Sequence, residues 1–363
     1  MEIYLDNNAT TLVDPRVVEA VRAELESGPS NPSSAHSLGR RARARLSAAR
    51  AEVADYLGVP SKEIYFTSGG TEALNTLILG ARFTGPLLAS KIDHAAMARP
   101  IEALNKSVIH LPVGPSGHIE VEDLNPGAGL IALSAANPET GVKNPLDEIS
   151  AFAKEHQIPL IVDGVALLGK ESFNMPAGIA AMVFSGHKFH APKGVGVMWI
   201  SSKFPLDPLL IGGGQESNRR SGTENLPGIV GLAKAIELLH TELPDATGRM
   251  CRLRDLLESS LLAAFPQVKV NGSGPRLPNT SNIAFPDIDV ELLLAQLDVA
   301  CIAVSLGSAC SSGGLEPYHV LLNMGLDPRL ARSSLRFSLS RFTTEAEIQK
   351  TLETLLPLLE VTY

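Results

Sequence analysis

One lysine in this chain follows a short apolar stretch and lies beside side chains that could bind a phosphate. Lys188 ends the tetrapeptide Ser185-Gly186-His187-Lys188, directly after the apolar run 181–184. A lysine amine can form an imine with an aldehyde, and the serine and histidine can donate hydrogen bonds to a phosphate. A glycine-rich return, residues 192–196, leads into the next apolar run. These residue types predict a site for a phosphorylated aldehyde cofactor, pyridoxal phosphate, bound as a Schiff base on Lys188.

Two further segments place complementary groups at the ends of predicted strands. Residues 68–72 (SGGTE) follow the apolar run 64–67 and open a predicted helix, whose first N–H groups could bind an anion. Asp163 ends the apolar run 160–162, at the edge where open α/β sheets bind ligands. A carboxylate beside a pyridine nitrogen keeps that nitrogen protonated, which makes the ring an electron sink. Each segment alone is more often an ordinary turn or helix cap, but together with Lys188 they favour one site.

These groups must be positioned by a sheet, because apolar runs alternate with amphipathic stretches along most of the chain. That alternation predicts the α/β class, with a mainly parallel seven-stranded sheet covered by helices. The predicted strands are residues 64–67, 87–90, 108–111, 130–134, 160–162, 181–184 and 195–200.

The length of 363 residues is more than one core usually holds, so we expect two domains. The predicted large domain comprises residues 15–244, and a smaller α+β domain comprises residues 1–14 and 245–363. Helices are predicted from turn and capping residues, with proline, glycine or a hydroxyl residue at their ends. They cover residues 15–26, 37–57, 228–243, which precedes Pro244, and 344–359.

Composition excludes several classes of function. The net charge of −8 disfavours broad nucleic-acid binding, and no apolar run approaches the length of a membrane span. The N-terminus lacks a signal-peptide pattern, so we expect a cytoplasmic protein. The three cysteines predict neither a disulfide framework nor a metal site. Cys251 is expected on a helix and Cys301 in the core, whereas Cys310 lies among small residues typical of an exposed loop.

Five motifs in order along the chain resemble those of the cysteine desulfurases, a family of class V aminotransferase-like pyridoxal-phosphate enzymes of fold type I. The resemblance runs from Ile3 to Thr344 and includes the extended cysteine loop of one branch of the family. The motifs are YLDNNATT at 4–11, FTSGGTE at 66–72, SGHK at 185–188, RSGT at 220–223 and GSAC at 307–310.

The resemblance implies roles for several residues. Lys188 would hold the cofactor, Asp163 would pair with its ring nitrogen, and His94 would stack on the ring and assist proton transfer. Arg336 would bind the substrate carboxylate, and Cys310 would take up the substrate sulfur. The remaining implied contacts are to phosphate, from Gly70, Thr71, Ser185 and His187 together with Thr223 of the partner subunit of a homodimer.

Two positions depart from the family pattern. The family has a second asparagine where this chain has Pro138, and a glutamine where it has Ala166. Both missing side chains would contact the cofactor, so the ring hydroxyl loses two expected partners and turnover should slow. Asn137 is expected to contact the substrate and could replace one of these contacts.

The resemblance implies conversion of L-cysteine to L-alanine, with the sulfur held as a persulfide on Cys310. An iron–sulfur scaffold or a tRNA-thiolation acceptor protein would receive that sulfur. Two alternatives stay open: a pyridoxal-phosphate lyase or transaminase for another small amino acid, disfavoured by Cys310, and a paralogue of low activity that acts as a partner in sulfur transfer, favoured by Pro138 and Ala166.

Overall fold

A seven-stranded sheet forms the centre of the computed structural model, which describes residues 2–29, 31–307 and 318–361. Numbered along the chain, the strands of this sheet and of the smaller sheets are β1 (Ile3–Tyr4), β2 (Ile64–Thr67), β3 (Leu87–Ser90), β4 (Val108–Leu111), β5 (Leu130–Ser134), β6 (Leu160–Asp163), β7 (Ala181–Ser185), β8 (Gly196–Ile200), β9 (Lys269–Val270), β10 (Thr280–Ala284), β11 (Ile302–Ala303) and β12 (Ser334–Ser338). The helices are α1 (Pro15–Glu26), α2 (Ser37–Leu57), α3 (Gly70–Gly80), α4 (Ala95–Ala103), α5 (Leu146–Glu155), α6 (Leu226–Ala264), α7 (Val290–Val299), α8 (His319–Asn323), α9 (Pro328–Arg332) and α10 (Glu345–Glu360).

The strand order of the large sheet is β2-β8-β7-β6-β5-β3-β4. Strands β4, β3, β5, β6 and β7 pair in parallel, whereas β8 runs antiparallel to both β7 and β2. The predicted α/β class and mainly parallel sheet are confirmed. β2 and β7 are both antiparallel to β8, so they point in the same direction. The carboxyl ends of β2, β3, β6 and β7 therefore lie at one edge of the sheet, where ligands bind in open α/β folds.

Several helix ends lie where the sequence predicts them. Asp14 caps α1 through the N–H of Arg16, and Pro15 occupies the first turn. Gly58 ends α2 with φ of +65°, a left-handed conformation that glycine adopts without strain. Thr344 opens α10 through a capping box with Glu347.

Two predictions about local structure are wrong. The helix expected to end before Pro244 continues as α6 to Ala264. A proline removes one helical hydrogen bond, but buried side chains on both sides of it, Leu243 and Ala246, keep the helix packed. Cys301 is exposed rather than buried, because it lies in the turn after α7 with φ of +62°.

The two largest clusters of buried apolar side chains divide mainly at position 244, with Leu277 in the first of them, and a small cluster joins Ile92 to Val320 and Leu321. One cluster covers a face of the large sheet and includes residues of α1, α2 and the first half of α6. Another joins β1, the second half of α6, β10, β12 and α10. We propose on this basis that residues 15–244 form the large domain and that residues 1–14 and 245–363 form the small one. None of the helices in the described part of the chain is long and apolar enough to cross a membrane.

Candidate active site

Lys188 lies at the edge of the sheet where the residues predicted to bind the cofactor meet. It ends a single turn of 3₁₀-helix, Gly186–Lys188, that follows β7 directly. Its Nζ donates to the backbone carbonyls of Asn8, at 2.5 Å, and Ala9, at 2.9 Å. The N-terminal segment therefore covers the end of the lysine side chain with acceptors, which favours a defined position for the amine.

Asp163 is the last residue of β6 and is paired in register with β7. Its Oδ1 accepts the N–H of Val165 at 2.9 Å. Burial raises the pKa of Asp163 to about 6, although the hydrogen bond from Val165 and the charge of Lys188 oppose that rise. A positively charged group beside this carboxylate would relieve the cost of its burial, so the position suits a protonated ring nitrogen.

His94 follows β3 and caps helix α4. Its Nδ1 accepts the N–H of Ala96 at 3.0 Å, so the neutral ring carries its proton on Nε2. Burial and then the nearby charge of Lys188 lower the pKa of His94. His94 is consequently a neutral side chain with a donor on Nε2.

The turn between β2 and α3 has an open helix N-terminus. Gly69 has φ of +155°, a conformation that side chains rarely adopt, and no side chain of the described residues caps α3. A Cβ on Gly70 would lie 3.0 Å from Val165 Cγ2 and 3.6 Å from Ser185 Cβ. The first N–H groups of α3, near Thr71, thus lie beside the buried Ser185, a setting that suits a phosphate.

His187 and Thr223 adjoin this turn in different ways. Nδ1 of His187 lies 3.1 Å from the hydroxyl of Thr10. Burial, Lys188 and Lys193 lower the pKa of His187 to about 4, so the ring is neutral near pH 7. Thr223 is exposed, and Arg220, three residues earlier, pairs with Glu72 of α3 at 2.8 Å. The contact of Thr223 with a partner subunit stays a prediction.

Arg336 and Asn137, the predicted substrate contacts, already have protein partners. Arg336 lies in β12 and its Nη2 is 2.6 Å from Asp6 Oδ1, while its buried Nε has no hydrogen-bond partner among the described residues. Asn137 donates to the carbonyl of Ile92 at 3.0 Å and accepts the N–H of Glu139 at 2.8 Å. Arg336 thus keeps unused donors, whereas the amide of Asn137 holds its own turn.

The two residues that depart from the family pattern, Pro138 and Ala166, both contact other parts of the fold. The carbonyl of Pro138 accepts a hydrogen bond from Asn8 Nδ2 at 2.8 Å, and Ala166 is half-buried against the apolar cluster of the large sheet. Neither side chain can donate a hydrogen bond. The loss of donors expected from the sequence therefore stands.

Three buried polar residues near the site did not emerge from the sequence. Lys170 is buried and donates to the carbonyl of Lys188 at 3.0 Å. Burial and the charge of Asp163 are among the causes that raise the pKa of Asp93 to about 6, although hydrogen bonds from Ser134 oppose the rise. His319, at the start of α8, has both ring nitrogens buried without a hydrogen-bond partner among the described residues. For Asp93, the available signal in the sequence was an acidic residue directly before His94, which follows a predicted strand. For Lys170, the signal was a lysine within an apolar segment.

Pyridoxal phosphate fits this arrangement. An amine (Lys188), a buried carboxylate (Asp163), a histidine with a fixed tautomer (His94) and an uncapped helix N-terminus lie at the carboxyl ends of four strands of one sheet. Cys310 lies outside the described residues, so the structure does not describe its relation to the amine.

Comparisons with known proteins agree with this assignment. The profile of the family "Aminotransferase class-V" matches residues 3–351. A "Cysteine desulfurase" of Trichormus azollae is 43% identical over 99% of this chain and 93% of its own length. A "Cysteine desulfurase IscS" of Dictyoglomus turgidum is 38% identical over 99% of this chain and 95% of its own length.

Solved structures are similar over almost the whole chain. A "NifS-like protein" superposes with a TM-score of 0.92 at 34% identity, covering 99% of this chain and 100% of the other. A structure described as "SspA in complex with cysteine" gives a TM-score of 0.82 at 29% identity, covering 95% and 100%. With the profile match and the sequence identities, this shows that the chain belongs to the class-V aminotransferase family and, within it, to the pyridoxal-phosphate-dependent cysteine desulfurases.

Proposed function

We propose that this chain converts L-cysteine to L-alanine with pyridoxal phosphate and holds the sulfur as a persulfide on Cys310. The observation that carries the proposal is the meeting of the Lys188 amine, the Asp163 carboxylate and the uncapped N-terminus of α3 at one edge of the sheet. When bound, pyridoxal phosphate supplies an electron-poor ring that accepts the electron pair released at the α-carbon of the substrate.

The protein residues have separate tasks in holding the cofactor. Asp163, whose burial disfavours its own charge, would be stabilised by a ring N–H⁺ and would keep that nitrogen protonated. The phosphate would lie at the open end of α3, where backbone N–H groups and polar side chains converge. Those positions are Gly70, Thr71, Ser185 and His187, with Thr223 contributed by the partner subunit.

Proton transfer is assigned to Lys188, with His94 assisting. Lys188 would accept the α-proton of the substrate. His94 would stack on the ring and act from Nε2, because protonation of Nδ1 would break its hydrogen bond with the N–H of Ala96. We therefore assign His94 the role of a hydrogen-bond donor that assists proton transfer, rather than that of a base or a proton source.

Arg336 would bind the substrate carboxylate. Its guanidinium is buried and has an unused Nε–H, and a fork of N–H groups suits a carboxylate. Asp6 occupies another edge of the same guanidinium at 2.6 Å and would hold its plane. Asn137 would act through the shape of its turn, since its amide bonds to the backbone.

The sulfur step is balanced without a further reactant. The Cys310 thiolate attacks the substrate sulfur, the substrate carbon–sulfur bond breaks, and a sulfur–sulfur bond forms on Cys310. The carbon receives the electron pair and a proton and leaves as L-alanine. The persulfide would then pass to an iron–sulfur scaffold or a tRNA-thiolation acceptor protein, in the cytoplasm, where thiols stay reduced.

We also propose that the working form is a homodimer. Leu209, Leu210 and Ile211 are consecutive exposed apolar residues, and Ile211 is 87% exposed. They lie on the segment that leads to Thr223, and the Ser221 N–H bonds to the carbonyl of Leu210 at 3.2 Å. An apolar patch beside a residue assigned to the partner's phosphate site favours burial against a second copy.

One set of assays tests the function. The absorbance of the purified protein is recorded with pyridoxal phosphate, L-cysteine is added, and sulfide and alanine are measured. We expect Lys188→Ala to lose the absorbance of the bound cofactor and both products. Cys310→Ala should keep that absorbance and lose sulfide release, whereas the control Cys301→Ala, at an exposed cysteine, should behave like the parent.

Other outcomes would favour the alternatives. Turnover of another amino acid that survives Cys310→Ala would indicate a lyase or transaminase. A yellow protein with no turnover would indicate the low-activity paralogue, for which Pro138 and Ala166 are the supporting observations. A colourless protein whose Lys188 stays unmodified after borohydride treatment with pyridoxal phosphate would contradict all three.

A further inference from the structure

A second lysine is buried beside Lys188. Lys170 follows β6 by a short turn and is 2% exposed, which makes it one of the largest fully buried side chains of the described chain. Its Nζ donates to the backbone carbonyl of Lys188 at 3.0 Å. Thr247 of α6 holds the backbone of Lys170 by donating to its carbonyl at 2.9 Å. The position of the Lys170 amine is thereby defined from two elements.

The charges that face Lys170 are of its own sign. Lys188 and Arg341 lie close enough to Lys170 to lower its pKa. Lys170 in turn lowers the pKa of His190. No carboxylate in residues 2–29, 31–307 and 318–361 forms a salt bridge with Lys170. Asp14, whose charge acts on the neighbouring His190, is paired with Arg341. Burial and then Lys188 and Arg341 lower the pKa of Lys170 to about 7.

Packing alone does not account for such a residue. An amine buried among cations is unfavourable in its charged form, and a methionine would fill the same space without that cost. A group retained at a cost to stability, in contact with the residue that forms the covalent bond, indicates a role in the chemistry of that residue.

We propose that Lys170 is a positioning residue for Lys188, which fixes the Lys188 backbone through its carbonyl and disfavours a second positive charge on the Lys188 amine. This inference rests on the proposed function, because it assigns Lys188 the attack on the cofactor aldehyde. An uncharged amine is the nucleophile in imine formation, so a neighbouring cation in a low-dielectric site favours the reactive form.

The test compares Lys170→Met, which removes both hydrogen bond and charge, with Lys170→Gln, which keeps a donor. The matched control is Lys143→Met, at a lysine paired with Glu171 near the surface. Two quantities are measured: the midpoint pH of the absorbance change of pyridoxal phosphate bound to Lys188, and the rate at which that absorbance appears when pyridoxal phosphate is added to apo-protein at pH 7.

We expect the midpoint to rise by up to about one pH unit in both Lys170 variants, because both remove the charge that Lys170 carries at and below about pH 7. The rate of imine formation at pH 7 should fall about fivefold, because Lys170 carries its charge in about half of the molecules at that pH. The control should match the parent in both measurements.

Each other outcome is decisive. An unchanged midpoint and rate in a folded Lys170→Met protein would overturn the inference. A shift in Lys170→Met without one in Lys170→Gln would overturn the part assigned to charge. If Lys170→Met fails to fold, Lys170→Gln decides, and a failure of both to fold would assign the lysine a structural role and overturn the inference. Failure of the proposed function is distinct, since it is read from the parent itself: no absorbance band and no borohydride modification at Lys188 would remove the cofactor assignment, whereas a band without desulfurase activity would leave this inference in place.

Discussion

Two groups of charged side chains in this protein have opposite electrostatic character. The site group consists of Asp93, Asp163, Lys170 and Lys188. Burial raises the pKa of both aspartates to about 6 and lowers the pKa of Lys170 to about 7. Each of these three shifts favours the neutral form of the side chain. The site group therefore stores unfavourable charge that a ligand or a proton can relieve.

The paired group consists of Asp14, Arg16, Glu242 and Arg341. Arg16 donates to Asp14 at 2.8 Å and to Glu242 at 2.5 Å, and Arg341 pairs with both carboxylates. Burial acts against the charge of Asp14, but the hydrogen bonds from Arg16 and the charge of Arg341 outweigh it and lower the pKa of Asp14 to about 2. The shift here favours the charged form.

The difference separates a structural role from a functional one. The paired group joins α1, α6 and the segment after β12, and opposite charges satisfy one another within it. The site group lies at the carboxyl edge of the large sheet, and among the described residues Asp93, Asp163 and Lys170 form no salt bridge. Burial by itself does not mark a functional charge, whereas burial whose effect on the pKa is not outweighed by opposite charges does.

The largest effect is expected from Asp163→Asn, which removes the site carboxylate at constant shape. We expect kcat to fall about 10³-fold, because the ring nitrogen loses its anionic partner. Stability at pH 7 should not fall, because the raised pKa means that ionised Asp163 opposes folding as pH rises above about 4. Steady-state kinetics and guanidinium unfolding of the apo-protein check both expectations, with Asp147→Asn at an exposed position as control. A loss of activity that simply follows a loss of stability would contradict the contrast.

Asp14→Asn should have the reverse pattern. Asparagine caps a helix as well as aspartate does, so the substitution isolates the charge. We expect the free energy of unfolding at pH 7 to fall by about 3 kcal/mol, because the buried arginine loses an opposite charge. The lowered pKa means that the contribution is complete above about pH 4 and is lost as pH falls through about 2, so the deficit should narrow in acid.

Denaturant unfolding between pH 3 and pH 7 measures this, with Asp55→Asn at an exposed position as the control. An Asp14→Asn protein as stable as the parent at pH 7 would mean that the paired group contributes little. The midpoint pH of the absorbance change of bound pyridoxal phosphate should be the same in Asp14→Asn as in the parent.

Much of the scaffold was predictable because local patterns determine it. Strands such as 64–67 and 87–90 lie where continuous apolar runs indicated them, and α1 and α2 begin and end at their capping residues. The wrong end for α6 arose because tertiary packing outweighs the one hydrogen bond that Pro244 removes. Cys301 was misplaced because apolar neighbours do not reveal a left-handed turn.

The site was predictable to the extent that its groups follow strands in order. Lys188 and Asp163 carry that signal, since the carboxyl ends of parallel strands meet. Lys170 does not, because its meaning depends on burial and on the sign of the charges around it, which are products of the tertiary fold. The bonds of Asn137 to the backbone were likewise invisible in a motif that names the residue alone.

A smaller effect is expected from Ala166→Gln, which restores a donor where the chain departs from its family. A hydrogen bond to the charged ring oxygen should stabilise the bound cofactor by about 1.5 kcal/mol and lower the midpoint pH of its absorbance change by about one unit. This shift is opposite in sign to that expected for Lys170→Met. Ala128→Gln, at another half-buried alanine, is the control. An unchanged midpoint with normal folding would show that the glutamine does not reach the ring.

The last prediction concerns the pH dependence of stability and tests directly whether Lys170 belongs to the site group. An unfolded lysine binds its proton up to about pH 10.4, whereas folded Lys170 releases it near pH 7. Between these values the unfolded state holds more protons, so this residue makes stability rise with pH, by at most about 1.4 kcal/mol for each unit. Lys170→Met lacks that slope. Guanidinium unfolding of both apo-proteins at pH 7 and pH 9 should show that the free energy of unfolding of the parent rises relative to that of the variant at the higher pH. Parallel curves would mean that Lys170 stays charged when folded, and that its burial is compensated as it is in the paired group.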